Sequence, residues 1–256
     1  MRNRERLATA AAVLFWLAVW QTVATVLEGR TGTTLLLPYP AGALARLLEL
    51  VRERDFWLAV GHSVGRIFSG YAAGVVLGCA IGIASAFLWP VRVLLRPLLG
   101  VIRATPVASF VIVALVWIRG GQLSAFIACL MVLPIIAENV ETGLRETDPA
   151  LLEMAAVFQV GWGRRLRYIY LPAVLPYLTA GMRVALGFGW KSGIAGEVIA
   201  IPSSAIGTEL YRAKVVLDMP GLFAWTAVII ALSALIEWGM LRLLPERKGG
   251  GSDAAV

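Results

Sequence analysis

Residues 7–27 read LATAAAVLFWLAVWQTVATVL, and no charged side chain interrupts them. A helix needs about 20 mostly apolar residues to cross the hydrocarbon core of a bilayer. Five further apolar stretches follow, at about 59–88, 98–118, 123–142, 174–199 and 221–244. The whole chain is 59% hydrophobic and only 15% charged. A soluble domain of this length would need far more charge to cover its surface. The fold class is therefore all-α, an integral membrane bundle of about six transmembrane helices. The first run is read as a span, since its core is too long for a cleaved signal and no clear A-x-A site follows it.

The net charge of +7 would fit a nucleic-acid partner, but its distribution excludes that class. Arg2, Arg4 and Arg6 precede the first span, and Arg92 and Arg96 lie between the second and third. Arg145, Arg164, Arg165 and Arg167 lie between the fourth and fifth, and Arg242, Arg247 and Lys248 follow the sixth. These are alternate loops, and cytoplasmic loops carry the Lys/Arg excess. Both termini are thus expected in the cytoplasm. In the first outer loop, AGALARLLELVRERDF sets Leu44, Leu47, Leu48 and Val51 at helical spacing, opposite Arg46, Glu49, Arg52 and Glu53. That predicts an amphipathic helix on the interface or against other spans. Residues 1–248 form one expected transmembrane domain, with a large cytoplasmic loop at about 143–172, and 249–256 read as a disordered tail.

Two spans carry small residues at a stride of four: Gly70, Gly74, Gly78 and Gly82 in the second, and Gly181, Ala185, Gly189 and Gly193 in the fifth. Such stripes let helix backbones approach closely in lipid. Tight packing is the favoured reading, and ridges that slide or rock during transport are the other. Ionisable groups at membrane depth usually face a bundle interior or a wet cavity. Arg103, Glu138, Arg183, Lys191, Glu197 and Glu237 qualify, with Thr105 beside Arg103. Arg103 and Arg183 also fit as residues snorkelling to the interface. Lys191 stands nearest mid-span, where a pathway cation and a salt-bridged structural lysine both fit.

Catalytic chemistry finds little foothold. GFGWKS at 187–192 lacks the glycine that a phosphate loop needs directly before its lysine, and it lies inside an apolar helix. Cys79 and Cys129 each sit in an apolar run and read as small core residues. One histidine, His62, and scattered acids give no metal-ligand spacing. An enzyme would need a clustered nucleophile, base or metal set. An ion-coupled carrier would need internal repeats with broken spans. Neither is evident.

The large loop contains EMAAVFQVGWGRRLRYIYLP, from Glu153 to Pro172. Asp148-Pro149 begins a helix well, as N-cap and first helical residue. The helix that follows is apolar nearly all round, so it must be covered by its own bundle or by a partner. Gly161 and Gly163 then permit a turn. The arginines suit headgroups and the tyrosines the interface.

This segment resembles the cytoplasmic loop of permease subunits of binding-protein-dependent ABC importers. That family's pattern is E-A-A, three residues, G, nine residues, I, one residue, L-P. Glu153, Ala155, Ile169, Leu171 and Pro172 fall on it in register. Met154 replaces the first alanine and Gln159 the glycine, with Gly161 two positions on as a candidate substitute. LLPYP, the Arg66-Ile67 region, RATPV at 103–107, LPAVLP at 171–176 and GMRVALGFGWKSGIAGEVI at 181–199 are similar to the nitrate/sulfonate/taurine branch.

The resemblance implies an ABC importer type I permease in a bacterial inner membrane, working as a pair of permeases that is expected to be a homodimer. It implies two ATPase subunits carrying the ATP and Mg, an extracytoplasmic solute-binding protein, and no cofactor on this chain. The loop helix is then expected to dock in an ATPase cleft, with Ala155 at closest approach and Glu153 paired to a basic or amide group. Arg103, Thr105, Glu138, Lys191 and Glu197 are the expected path-lining residues, and a small anion such as nitrate, a sulfonate or taurine is the expected solute.

Overall fold

A computed structural model of the chain describes residues 2–33, 36–118 and 120–243. The expected tail at 249–256 lies outside them. The described residues are helical, with no strand among them. Five helices among the described residues are long and apolar enough to cross a membrane, and a bent pair makes a sixth if it is counted as one span.

Helix α1 (Arg2–Thr31) stands at the edge of the bundle and presents most of its apolar surface outward. It is linked to the rest by Glu28, which accepts from the Tyr39 hydroxyl, and by Trp20, whose indole N–H donates to Pro38 O at 3.0 Å. The Trp20 ring also lies 5.4 Å from that of Phe223. Helix α2 (Pro40–Leu50) is the expected amphipathic helix, but its buried stripe is Ala43, Leu47 and Leu50. Leu44 and Leu48, expected on that stripe, point outward. The shift follows from packing: α2 lies against α11 (Met219–Leu243), and Arg46 reaches Asp218 at 3.4 Å.

The centre is built from α3 (Arg54–Phe87), α6 (Gln122–Arg145) and α9 (Leu171–Ala200), with α6 between the other two. The glycine stripes are what bring them together. A Cβ on Gly70 would lie 2.0 Å from the Ala125 carbonyl oxygen. At Gly74, Gly78 and Gly82 it would lie within 3 Å of the carbonyls of Cys129, Leu133 and Ala137. On α9, Gly181 is filled by Asn139, Gly189 by Val132 and Gly193 by Ile67. The α3 face therefore rests on the backbone of α6, as close packing in lipid favours.

The expected third span, 98–118, is not continuous. It consists of α4 (Trp89–Ala104) and α5 (Val107–Ala114), bent by 103° at Thr105-Pro106. Pro106 has no N–H, and its ring drives Thr105 out of the helical region, to φ −83° and ψ 132°. The apolar run is thus interrupted by a sharp bend where the sequence suggested none.

Short helices complete the chain: α7 (Pro149–Val157), α8 (Trp162–Arg165) and α10 (Ile206–Val215). Between α8 and α9 the helix widens to a π-turn over Leu166–Tyr170, with Leu171 N–H bonded to Leu166 O. Pro172 explains it, because a proline removes one rung of the normal ladder and crowds the carbonyl four residues back.

Candidate functional site

The segment from Asp148 to Pro172 hangs at one end of the bundle. Asp148 caps α7, its carboxylate accepting from the Ala150 N–H at 2.8 Å. At the other end Gln159 N–H bonds to Ala156 O at 3.1 Å and Val160 N–H to Ala155 O at 2.9 Å. That crossed pair is a Schellman cap, which needs a left-handed residue just beyond the helix. Gln159 supplies it at φ 51°. The glycine of the family pattern is therefore replaced at the position where a glycine costs least. Gly161 is no substitute, since its φ is −61°. A left-handed non-glycine residue costs roughly 1–2 kcal/mol, so Gln159→Gly is expected to stabilise this cap by about 1 kcal/mol. Slower amide hydrogen exchange across α7 is the readout.

Arg165 is expected from sequence at the lipid headgroups. It instead turns back onto α7, its Nε donating to Val160 O at 2.7 Å and its terminal NH2 to Ala155 O at 3.0 Å. A cation at a helix C-terminus also suits the helix dipole. Trp162 and Tyr170 join Phe87 of α3 in an aromatic triad with ring centres 5.7–5.9 Å apart. Cap and clamp tie α7 to α8, and the triad ties α8 and the π-turn to α3, although α7 itself has little packing contact with any span.

The side chains of α7 then divide. Ala155, expected at the ATPase contact, is completely buried within its own chain. Its small size serves the fold-back through Val160 and Arg165. Leu151, Met154, Val157 and Phe158 form one outward apolar arc, with Val157 78% and Phe158 75% exposed. Glu153 stands exposed at its edge. Downstream, Ile169 lies in the π-turn, and exposed Leu171 and Pro172 open α9.

Arg103 and Glu138 meet in an ion pair between α4 and α6. They line a cavity of about 250 Å³, shared with Arg92, Arg96, Glu141 and Arg145. Thr105 marks the break one step away, its hydroxyl bonded to Val101 O at 2.8 Å. Lys191 faces a second cavity of about 250 Å³ between α9 and α11, with Ser233 and Glu237. Glu197 is elsewhere, fully buried. Its Oε2 accepts from Ser63 Oγ at 2.7 Å and from Gly207 N–H at 3.2 Å. Ser63 Oγ in turn accepts from Ile206 N–H at 2.9 Å. That knot fixes the N-terminus of α10, where backbone N–H groups favour an acidic partner. Ser63 is not legible from sequence, because a lone serine in an apolar helix has no distinctive spacing.

Residues 74–248 match the family described as the inner membrane component of binding-protein-dependent transport systems. The chain belongs to that family. The permease is 28% identical to the taurine transport permease of Escherichia coli, over 96% of this chain and 90% of that protein. It is 27% identical to a putative aliphatic sulfonates transport permease of Bacillus subtilis, over 91% and 82%. Against a bicarbonate transport permease of Synechococcus elongatus it is 28% identical, over 79% and 75%. Among solved structures, an alginate ABC importer shares its fold over 97% of both chains, with a TM-score of 0.62 at 10% identity. The permease is thus the membrane-spanning subunit of an ABC importer, and ATP hydrolysis belongs to a separate chain. The family also decides the place of the broken third span: it is part of an importer and not the mark of a secondary carrier.

Proposed function

We propose that this permease works in a pair, by alternating access, to admit a small oxyanion delivered by an extracytoplasmic binding protein. The observation that carries the reading is the free apolar arc of α7, held out from the bundle in the register of the family's coupling loop. Leu151, Met154, Val157 and Phe158 enter a cleft of the partner ATPase, which holds the ATP and Mg, and Glu153 pairs at the rim. This revises the expected contact from Ala155 to the side chains that are free. The arginine-rich end of the bundle, with α7 and both termini, faces the cytoplasm, and 1–248 acts as one domain in the lipid. The oxyanion class is supported by the taurine, sulfonate and bicarbonate relatives and by the basic cavity between α4 and α6. Arg103, Thr105, Glu138 and Lys191 line the path, whereas Glu197 anchors α10. Two copies of this same chain make the pair.

The test is reconstitution with its partner ATPase and binding protein. ATP-dependent uptake of a sulfonate, nitrate or bicarbonate is the expected result, and no uptake of any small oxyanion overturns the solute class. In intact cells, an impermeant thiol reagent is expected to miss a Val157→Cys variant lacking Cys79 and Cys129. Labelling there reverses the orientation.

A further inference from the structure

Helix α4 is amphipathic with its faces reversed for a helix at a membrane. Arg92, Arg96, Leu99 and Arg103 recur at four-, three- and four-residue steps, so they share one face. That face borders an open groove whose other wall is Pro134, Glu138, Glu141, Thr142 and Arg145 of α6. Leu94, Leu98 and Val101 point the other way and are exposed. An arginine that only snorkelled to lipid headgroups would stand on the outer face with those leucines. These stand on the opposite face and line an open groove, with Arg96 exposed and Arg103 half-exposed, where ionisable groups meet water.

The charges in this groove do not balance. Arg103 is paired with Glu138. Arg145 lies 3.6 Å from Glu141 on its own helix. Arg92 and Arg96 have no ion pair among the described residues, although their guanidinium groups line the same cavity. Two cations therefore face about 250 Å³ of space, enough for a small oxyanion and its water. Guanidinium groups suit such a guest, because their planar fork matches two oxygens at once. The groove also lies at the coupling end: Arg145 is the last residue of α6, just before Asp148 caps α7.

We propose that the α4–α6 groove is a holding site for the transported oxyanion, with Arg92 and Arg96 as its free cations. The proposal rests on the importer reading above and adds to it a place and a pair of residues. A guest oxyanion competes with Glu138 for Arg103, so filling the groove loosens the one side-chain ion pair joining α4 to α6 among the described residues. A sulfonate, carboxylate or phosphate has the chemistry to fill it, and the phosphate of an anionic lipid is the rival source.

Two measurements test it on the reconstituted complex. In the first, ATP-dependent uptake of taurine, nitrate and bicarbonate is compared between wild type, Arg92→Gln/Arg96→Gln and Arg92→Lys/Arg96→Lys. Charged clefts raise local counter-ion concentration by about tenfold or more, so uptake is expected to fall about tenfold in the glutamine variant and to recover largely in the lysine variant. Co-purification of the ATPase shows that the variants still assemble. In the second, Thr142→Cys, in a background without Cys79 and Cys129, reports the groove's potential. A sulfonate-bearing methanethiosulfonate is expected to outpace a trimethylammonium one, and the preference is expected to vanish with Arg92→Gln/Arg96→Gln. Wild-type uptake that is matched by the glutamine variant overturns the holding site and leaves the importer reading intact. No uptake by wild type removes both. Vesicles of phosphatidylcholine alone are compared with vesicles containing phosphatidylglycerol. Groove labelling that is abolished by phosphatidylglycerol assigns the site to a lipid headgroup and overturns it as a passage.

Discussion

Met154→Asp/Phe158→Asp is expected to release the ATPase and bring uptake to background. Both side chains lie on the free arc of α7, and neither supports the helix's own attachment. In an interface, a buried apolar anchor contributes about 2 kcal/mol or more. Losing two anchors, at 1.4 kcal/mol per tenfold, weakens docking roughly a thousandfold. Carboxylates add the cost of desolvating a charge without a partner. Ala156→Gln, exposed on the opposite side of the helix, is expected to hold the ATPase normally. Co-purification and uptake are the readouts. Full retention by the double variant would mean that α7 is not the docking element.

Gly70→Leu is expected to leave no folded protein in the membrane. The first added atom would stand 2.0 Å from a carbonyl oxygen of α6. Backbone cannot rotate away as a side-chain tip can, so α3 and α6 must separate along their whole contact. Overpacking typically costs about 1–3 kcal/mol, occasionally more, and Gly70 belongs at the upper end. Gly65, on the same helix, has open space beside it. Gly65→Leu is therefore expected to fold, and to gain up to about 1 kcal/mol of helix propensity. Expression of both variants at equal level would show that the ridge does not set the packing.

Much of this was legible from residues alone. Spans one, two, four, five and six were visible because long apolar runs need no tertiary information. The break in the third was also written in the chain, as Thr105-Pro106, but an apolar run on both sides masked it. The position of α7 could be read from Asp148-Pro149 and the loop pattern. Its polarity could not: a small residue such as Ala155 signals close approach without saying to which chain. Arg165 was hidden among Arg164 and Arg167, three like charges that only backbone geometry separates. Its signal lies in its spacing of five residues from Val160, just past the end of α7, which becomes meaningful once the left-handed Gln159 is known to turn the chain. Leu44 and Leu48 face outward while Leu47 packs inward, because a membrane helix has two apolar sides available, protein and lipid.

The contact between α3 and α6 also limits how the molecule can move. Gly70, Gly74, Gly78 and Gly82 rest on successive carbonyls of α6. Four residues of helix rise about 6 Å. A slide of α3 along α6 by any smaller step would drive a full side chain into a carbonyl. With α9 keyed into both helices, the three form a train without backlash. Close packing along these ridges favours movement of α3, α6 and α9 as one unit. What gives must lie outside that unit, and the 103° elbow at Thr105-Pro106 is the place where the chain already has a joint.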